Sequence, residues 1–213
     1  MGTSFRARLL VVLGSVLISA CAHAGPTALF LIPISDVLKH REAFVYLGTQ
    51  GNERNVDKKY YHYFAATVGV FDWLELGVDD DLEGLTTYNF KVNLFQRPKQ
   101  APKLGLSVGA TGMKDRDWDP YAVASYDLKN GRLHGGVWSI GGVNRGFAGV
   151  DFPVGNSTAT IEYIGGPGAT TWASLFVPVA KVEGLGVLVA VGFPSKRSDG
   201  IQHSALIYYA FRL

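Results

Sequence analysis

The sequence predicts an all-β protein: an antiparallel up-and-down transmembrane β-barrel of about ten to twelve strands that follows an N-terminal signal peptide. Three features of the 213 residues lead to this prediction: an apolar leader, many short segments in which apolar and polar residues alternate, and a C-terminal segment that alternates to its last residue. The expected domains are the signal peptide, residues 1–24, and a single barrel domain, residues 25–213.

The leader has the order of a secretory signal peptide, since Arg6 and Arg8 precede the apolar run LLVVLGSVLISA and small residues follow it. The run is shorter than the about 20 residues that a membrane-spanning helix needs. Two cleavage sites fit. Residues 17–20 resemble a lipobox, in which the chain is cut before an acylated cysteine, here Cys21, whereas AHA fits cleavage after Ala24.

Cysteine content and charge exclude several classes of protein. Cys21 is the one cysteine of the chain, which makes it the lipidation candidate and excludes an internal disulfide framework. The 20 basic and 18 acidic residues give a formal charge of +2, and loss of the two leader arginines brings the mature chain near neutrality. We therefore expect no nucleic-acid partner.

No motif for a metal or cofactor is present. The histidines and the cysteine lack zinc-site spacing, and no glycine-rich phosphate loop precedes a helix. The acidic runs at 79–81 and 115–119 lack the full EF-hand spacing and are better explained as solvated loops. The sequence predicts neither a metal site nor a cofactor.

Alternation with a period of two is the main structural signal, because successive side chains of a strand point to opposite faces. In TTYNFKVNLFQ the apolar face carries Tyr88, Phe90, Val92 and Leu94, and the polar face carries Asn89, Lys91 and Asn93. Similar segments run from TALFLIPIS, which we expect to be the first strand, to HSALIYYAFRL. An antiparallel chain of this kind hides its edges as a sandwich or as a closed barrel.

Two observations favour a membrane barrel. The chain ends in the alternating segment ALIYYAFRL, which is typical of barrels assembled into an outer membrane, although Leu213 replaces the usual final aromatic residue. Aromatic residues also cluster near predicted strand ends, as interfacial girdles require. These residues are Tyr60, Tyr61, Tyr63, Phe71, Trp73, Trp118, Tyr121, Tyr208, Tyr209 and Phe211.

In a membrane barrel the polar strand faces line the interior. The interior candidates are Glu75, Lys91, Arg132, His134, Asp151 and Glu162. They could line a channel that selects solutes, or they could pair with one another and fill the narrow lumen. We favour the filled lumen, because the loops are short and the two charge signs are about equally frequent.

Several segments between about residues 60 and 166 resemble the YjbH-type outer-membrane barrels associated with exopolysaccharide operons: WLELGV, FKVNLF, PKLGLSVGATGM, YAVASYDL, RLHGGVW, GFAGVDFPV and IEYIGG. The resemblance implies an exported barrel that helps polysaccharide leave the cell. This chain is much shorter than the large members, and GPTALFLIPIS stands where they have a glycine-rich opening strand. The resemblance carries over no catalytic residues.

The resulting expectation is a bacterial outer-membrane barrel with a structural or transport role, which includes assistance to surface polysaccharide export. Its expected partners are outer-membrane lipids, the barrel-assembly machinery and polysaccharide or other export proteins. The alternative is an exported soluble or lipid-anchored β-sandwich that binds carbohydrate through exposed aromatics such as Trp118 and Trp172.

A weaker alternative is an enzyme that modifies outer-membrane lipids. His203 and Ser204 are adjacent, and His134 and Ser139 are an odd number of residues apart, so each pair lies on opposite faces of a strand. Neither pair can form a nucleophile–base dyad. The sequence therefore predicts no catalytic residue and no enzyme activity.

The mature N-terminus is a testable prediction. We expect the protein extracted from purified outer membranes to begin at an acylated Cys21 or at Gly25, which intact mass spectrometry distinguishes. A chain that retains the leader would contradict the signal-peptide assignment. Absence of the protein from the outer-membrane fraction would contradict the membrane barrel.

Overall fold

The computed structural model describes residues 28–52, 60–95, 104–114 and 117–213. The predicted signal peptide and Cys21 lie outside these residues, as do Asp115 and Arg116 of the second acidic run. Within the described ranges, no helix combines the length and the apolar character needed to cross a bilayer.

Twelve antiparallel strands form one closed sheet, which confirms the predicted all-β barrel. Each strand pairs with its neighbours in sequence, so the topology is up-and-down. The strands are β1 Glu42–Asn52, β2 Tyr61–Phe71, β3 Leu74–Asp80, β4 Thr86–Asn93, β5 Leu104–Lys114, β6 Asp117–Leu128, β7 Gly131–Ile140, β8 Val143–Val154, β9 Ser157–Ile164, β10 Thr170–Pro178, β11 Leu185–Pro194 and β12 Gln202–Arg212. A short 3-10 helix, Arg197–Asp199, lies between β11 and β12.

The first and last strands close the barrel. β1 pairs with β12 along its whole length, from Glu42 opposite Arg212 to Asn52 opposite Gln202. The backbone N–H of Leu213 then donates to the carbonyl of Arg41 at 2.8 Å. The sandwich alternative is wrong, because the strands of the described residues form one sheet that closes on itself and has no free edge.

The two faces of the sheet differ in polarity in the sense opposite to that of a soluble barrel. Along β11, Leu188 and Ala190 are buried inside, whereas Val189 and Val191 point outward and are 48% and 40% exposed. Along β12, Ser204 is buried and Ile207 is 58% exposed. The exterior is therefore apolar over the middle of the strands, and many of the polar side chains point inward.

The aromatic residues near strand ends divide between the two faces. Phe71, Trp73 and Trp118 are exposed, and Phe71 stacks on Trp73 with ring centroids 5.3 Å apart. Two of the residues predicted to lie in an outer girdle point inward instead: Tyr121 is buried inside the barrel, and Tyr208 packs inside against Phe176. Proximity to a strand end does not determine the face, which depends on the odd or even position along the strand.

TALFLIPIS is not the first strand. From Ala28 onward this segment is irregular, and its one bridge joins Ala28 to Pro33 within the segment. We call residues Ala28–Leu38 the lumen segment, because they lie inside the barrel, as the contacts below show. The chain leaves the lumen beside Gly69, where a Cβ would overlap the carbonyl oxygens of Leu38 and Lys39, and then enters β1.

Candidate functional site

The barrel interior is the candidate site, and the structure places all six predicted interior residues on inward strand faces. Their side chains come from five strands, β3, β4, β7, β8 and β9. Glu75, Lys91, His134 and Glu162 are buried, and the side chains of Arg132 and Asp151 are 16% and 19% exposed. Four of the six contact the lumen segment directly, so the segment organises the site.

Glu162 on β9 binds the tip of the lumen segment. Its carboxylate accepts the backbone N–H groups of Phe30, Leu31 and Ile32 at 3.2, 2.9 and 3.2 Å. These donors belong to irregular chain and have no strand partner, so a buried acceptor is needed to offset the cost of removing them from water. A carboxylate is well suited because it is an acceptor at both oxygens.

A buried ion pair holds the other end of the segment. Lys91 Nζ lies 3.2 Å from Glu75 Oε1, and both side chains are 2% exposed. Glu75 also accepts the backbone N–H of Leu38 at 2.9 Å, and Lys91 donates to the carbonyl of Asp36 at 3.1 Å. Each member of the pair therefore bonds the other and also bonds the backbone of the lumen segment. Such additional hydrogen bonds are needed to offset the cost of burying two charges.

Arg132 on β7 joins the segment to the barrel through a second ionic contact. Its guanidinium contacts the carboxylate of Asp36, and its Nε lies 2.9 Å from Asp127 Oδ1 on β6. Asp36 directly follows TALFLIPIS, which was predicted to be the first strand. Its role as a partner for Arg132 was therefore missed.

Ser35 of the segment is hydrogen-bonded to three strands of the barrel. Its N–H donates to Ser125 Oγ at 3.0 Å, and its carbonyl accepts hydrogen bonds from Asn93 Nδ2, at 2.8 Å, and from Ser107 Oγ. Ser107 and Ser125 were not among the predicted interior residues, and Asn93 was predicted only to lie on a polar strand face. Their inward parity along β4, β5 and β6 was the available signal, but the partner was unknown.

Ser125, His134 and Asp151 form a continuous hydrogen-bonded line. Ser125 Oγ lies 2.8 Å from His134 Nδ1, and His134 Nε2 lies 2.9 Å from Asp151 Oδ2. The pairing of β6 with β7 places Ser125 directly opposite His134, so the partner is Ser125 and not Ser139. These are the residue types of a hydrolytic triad.

The arrangement supports positioning and not nucleophilic attack. Ser125 is 1% exposed, and its hydroxyl already accepts the N–H of Ser35. A substrate carbonyl therefore has no approach to this oxygen while the lumen segment is in place. His203 and Ser204, the other pair considered, contact different partners: His203 Nε2 lies 3.1 Å from Tyr60 Oη, whereas Ser204 Oγ bonds Tyr63 Oη.

Two apolar clusters flank the lumen segment. In the first, Leu29, Ile32 and Ile34 pack against Tyr121 and Phe147. In the second, Phe30 and Leu31 pack against a buried group that contains Trp172, and the rings of Phe30 and Trp172 are 4.9 Å apart. Trp172 is 2% exposed, so the prediction that it binds carbohydrate at an exposed surface is wrong.

The acidic run at 79–81 is not all loop as predicted, because Asp79 and Asp80 end β3 and only Asp81 lies in the hydrogen-bonded turn that follows. Asp81 accepts the backbone N–H groups of Leu85 at 2.8 Å and Glu83 at 2.9 Å, and these hydrogen bonds hold the pKa of its carboxyl below the usual value. Among the described residues, no group of three or more His, Cys, Asp or Glu side chains is arranged to hold a metal ion.

Comparison with known proteins does not assign the chain to a family. No protein-family model matches it, and no curated protein matches it.

The Lys91–Glu75 pair gives a prediction about stability. Replacing Lys91 with Ala leaves the buried Glu75 carboxylate without its cation, and loss of one partner from such a pair costs about 3–5 kcal/mol. We expect Lys91→Ala to lower the melting temperature of the folded barrel in micelles, measured by circular dichroism and by heat-modifiable gel migration. Adding Glu75→Gln should restore part of the loss.

Lys129→Ala is the matched control, because Lys129 lies in the exposed turn between β6 and β7 and should leave melting unchanged. Unchanged melting of Lys91→Ala, together with raised conductance in planar bilayers, would instead indicate that Lys91 lines an open pore.

Proposed function

We propose that the protein is an outer-membrane β-barrel with a structural role, which assists surface polysaccharide export without acting as an open pore. The observation that carries this proposal is the combination of an apolar exterior with a polar interior that the chain itself occupies. A closed β-barrel of this kind fits an outer-membrane protein.

The exterior supports residence in a membrane. Outward residues at mid-strand include Leu76 and Val137, which are 44% and 59% exposed, as well as Ile161 and Ile207. Monomeric soluble proteins rarely leave contiguous apolar patches of more than a few hundred Å² in water. A bilayer supplies the apolar environment that such a surface needs, and the closed sheet leaves no strand edge unpaired within it.

The interior argues against an open channel. The lumen segment contacts inward side chains of β3, β4, β5 and β6 through hydrogen bonds, and of β9 through Glu162. Ile32 and Ser35 of this segment are fully buried. A solute that crossed the barrel would have to displace the segment and break these contacts.

Assistance to polysaccharide export rests on the resemblance of segments between residues 60 and 166 to exopolysaccharide-associated barrels. The lumen segment excludes a role as the conduit, because a polymer chain has no path through the barrel in this conformation. The protein would therefore act at the membrane beside an export pathway, as an anchor or scaffold for other export proteins.

Insertion in a bilayer is tested by arginine substitution at two depths. Val189 lies in the middle of β11 and Val154 at the end of β8, and they are similarly exposed, at 48% and 50%. An arginine on the lipid face costs about 2–4 kcal/mol at mid-membrane and about 0–1 kcal/mol near the interface. We expect Val189→Arg to impair folding into lipid vesicles and Val154→Arg to be tolerated. Equal tolerance of both would contradict a membrane-spanning barrel.

The export role is tested by deletion of the gene in the bacterium of origin. We expect less polysaccharide at the cell surface and more inside the envelope, measured by fractionation and sugar analysis. The wild-type gene and Val154→Arg should restore export, whereas Val189→Arg should not. Normal surface polysaccharide in the deletion strain would overturn the export role and leave the membrane barrel intact.

A further inference from the structure

A cavity opens at the mouth of the barrel opposite the end where β1 begins and β12 ends. Its volume is about 240 Å³. The residues that define its chemistry are Leu31, Tyr46, Tyr61, Tyr63, Asp79 and Asp81. Leu31 belongs to the lumen segment, so the filled lumen supplies one wall of the cavity.

The aromatic wall is built from three tyrosine rings. Tyr61 stacks on Tyr63 with centroids 5.7 Å apart, and Tyr46 meets Tyr63 edge-on at 5.9 Å. Tyr63 is positioned by β1 and β12. Its hydroxyl lies 3.0 Å from Ser204 Oγ, and its ring lies so close to Gly48 that a Cβ there would overlap it. The Tyr63 ring is therefore positioned by the barrel itself, and the rings of Tyr46 and Tyr61 pack against it.

The carboxylates on the cavity wall are also fixed. Asp79 accepts a hydrogen bond from Asn89 Nδ2 at 2.6 Å, and Asp81 is held by the backbone N–H groups of its own turn. Of the ion pairs formed between described residues, none involves Asp79 or Asp81. The cavity thus combines aromatic faces with negative charge.

These two features select one ligand chemistry. The face of an aromatic ring attracts a cation within about 6 Å, and a nearby carboxylate adds Coulombic attraction. Anions are repelled by Asp79 and Asp81, and a neutral ligand can donate hydrogen bonds to these carboxylates but lacks the Coulombic attraction that a cation gains. Fixed groups add affinity because little conformational entropy is lost on binding.

We propose that this cavity binds the ammonium group of a small organic cation. The ammonium lies against the rings of Tyr61 and Tyr63 and is paired with Asp79, while the remainder of the molecule projects toward solvent. The site lies at the mouth of the barrel and is independent of the export role proposed above.

The test uses choline as the probe and 3,3-dimethyl-1-butanol as its uncharged isostere, titrated by calorimetry into the full-length mature barrel. An uncharged polyoxyethylene detergent avoids competing ammonium groups. We expect saturable choline binding that is about tenfold tighter than that of the isostere, and that weakens as salt is added.

Variants assign the binding to this cavity. Tyr61→Leu and Asp79→Asn should each weaken choline binding at least severalfold, whereas Tyr61→Phe should retain it because the ring remains. Tyr126→Leu is the matched control, since Tyr126 on the outer face is 48% exposed, as is Tyr61. Heat-modifiable migration checks that each variant is folded. Absence of choline binding, equal binding of the isostere, or binding unaffected by Tyr61→Leu and Asp79→Asn would overturn the proposal.

Discussion

The structure depends on hydrogen bonding between the backbone of the lumen segment and the inward side chains of the barrel. A chain without strand partners, buried from water, must have its N–H and C=O groups satisfied elsewhere. Glu162, Glu75 and Ser125 accept from its N–H groups, and Lys91 donates to one of its carbonyls. The barrel interior must therefore carry polar side chains, because the backbone of the lumen segment inside it needs hydrogen-bond partners.

This requirement accounts for the opposed polarity of the two sheet faces. The interior carries charged and hydroxyl groups where the segment needs partners, and it carries Phe147 and Trp172 where the segment presents Ile32 and Phe30. The outward side chains do not contact the lumen segment, and at mid-strand they are apolar. The closed sheet makes the division possible, because it separates the two environments completely and leaves no edge between them.

The lumen segment and the cavity at the mouth of the barrel adjoin each other. Leu31 of the segment lines this cavity together with Tyr46 of β1. Any ligand at this mouth contacts the segment as well as the barrel wall. The described residues therefore form a cavity at one mouth of the barrel, while the lumen segment occupies the interior.

Much of the fold was predictable because the period of two along each strand is a local property. The alternation in residues 88–94 placed Lys91 on the polar face, and ALIYYAFRL was correctly predicted as the last strand. The sequence alone thus determined an all-β chain with two unlike faces. The closure of β1 on β12 and the entry of residues 28–38 into the lumen were decided by tertiary structure. In isolation TALFLIPIS has the composition of a strand, and only the presence of Glu162 and its neighbours inside a closed sheet makes irregular, buried chain the more favourable state.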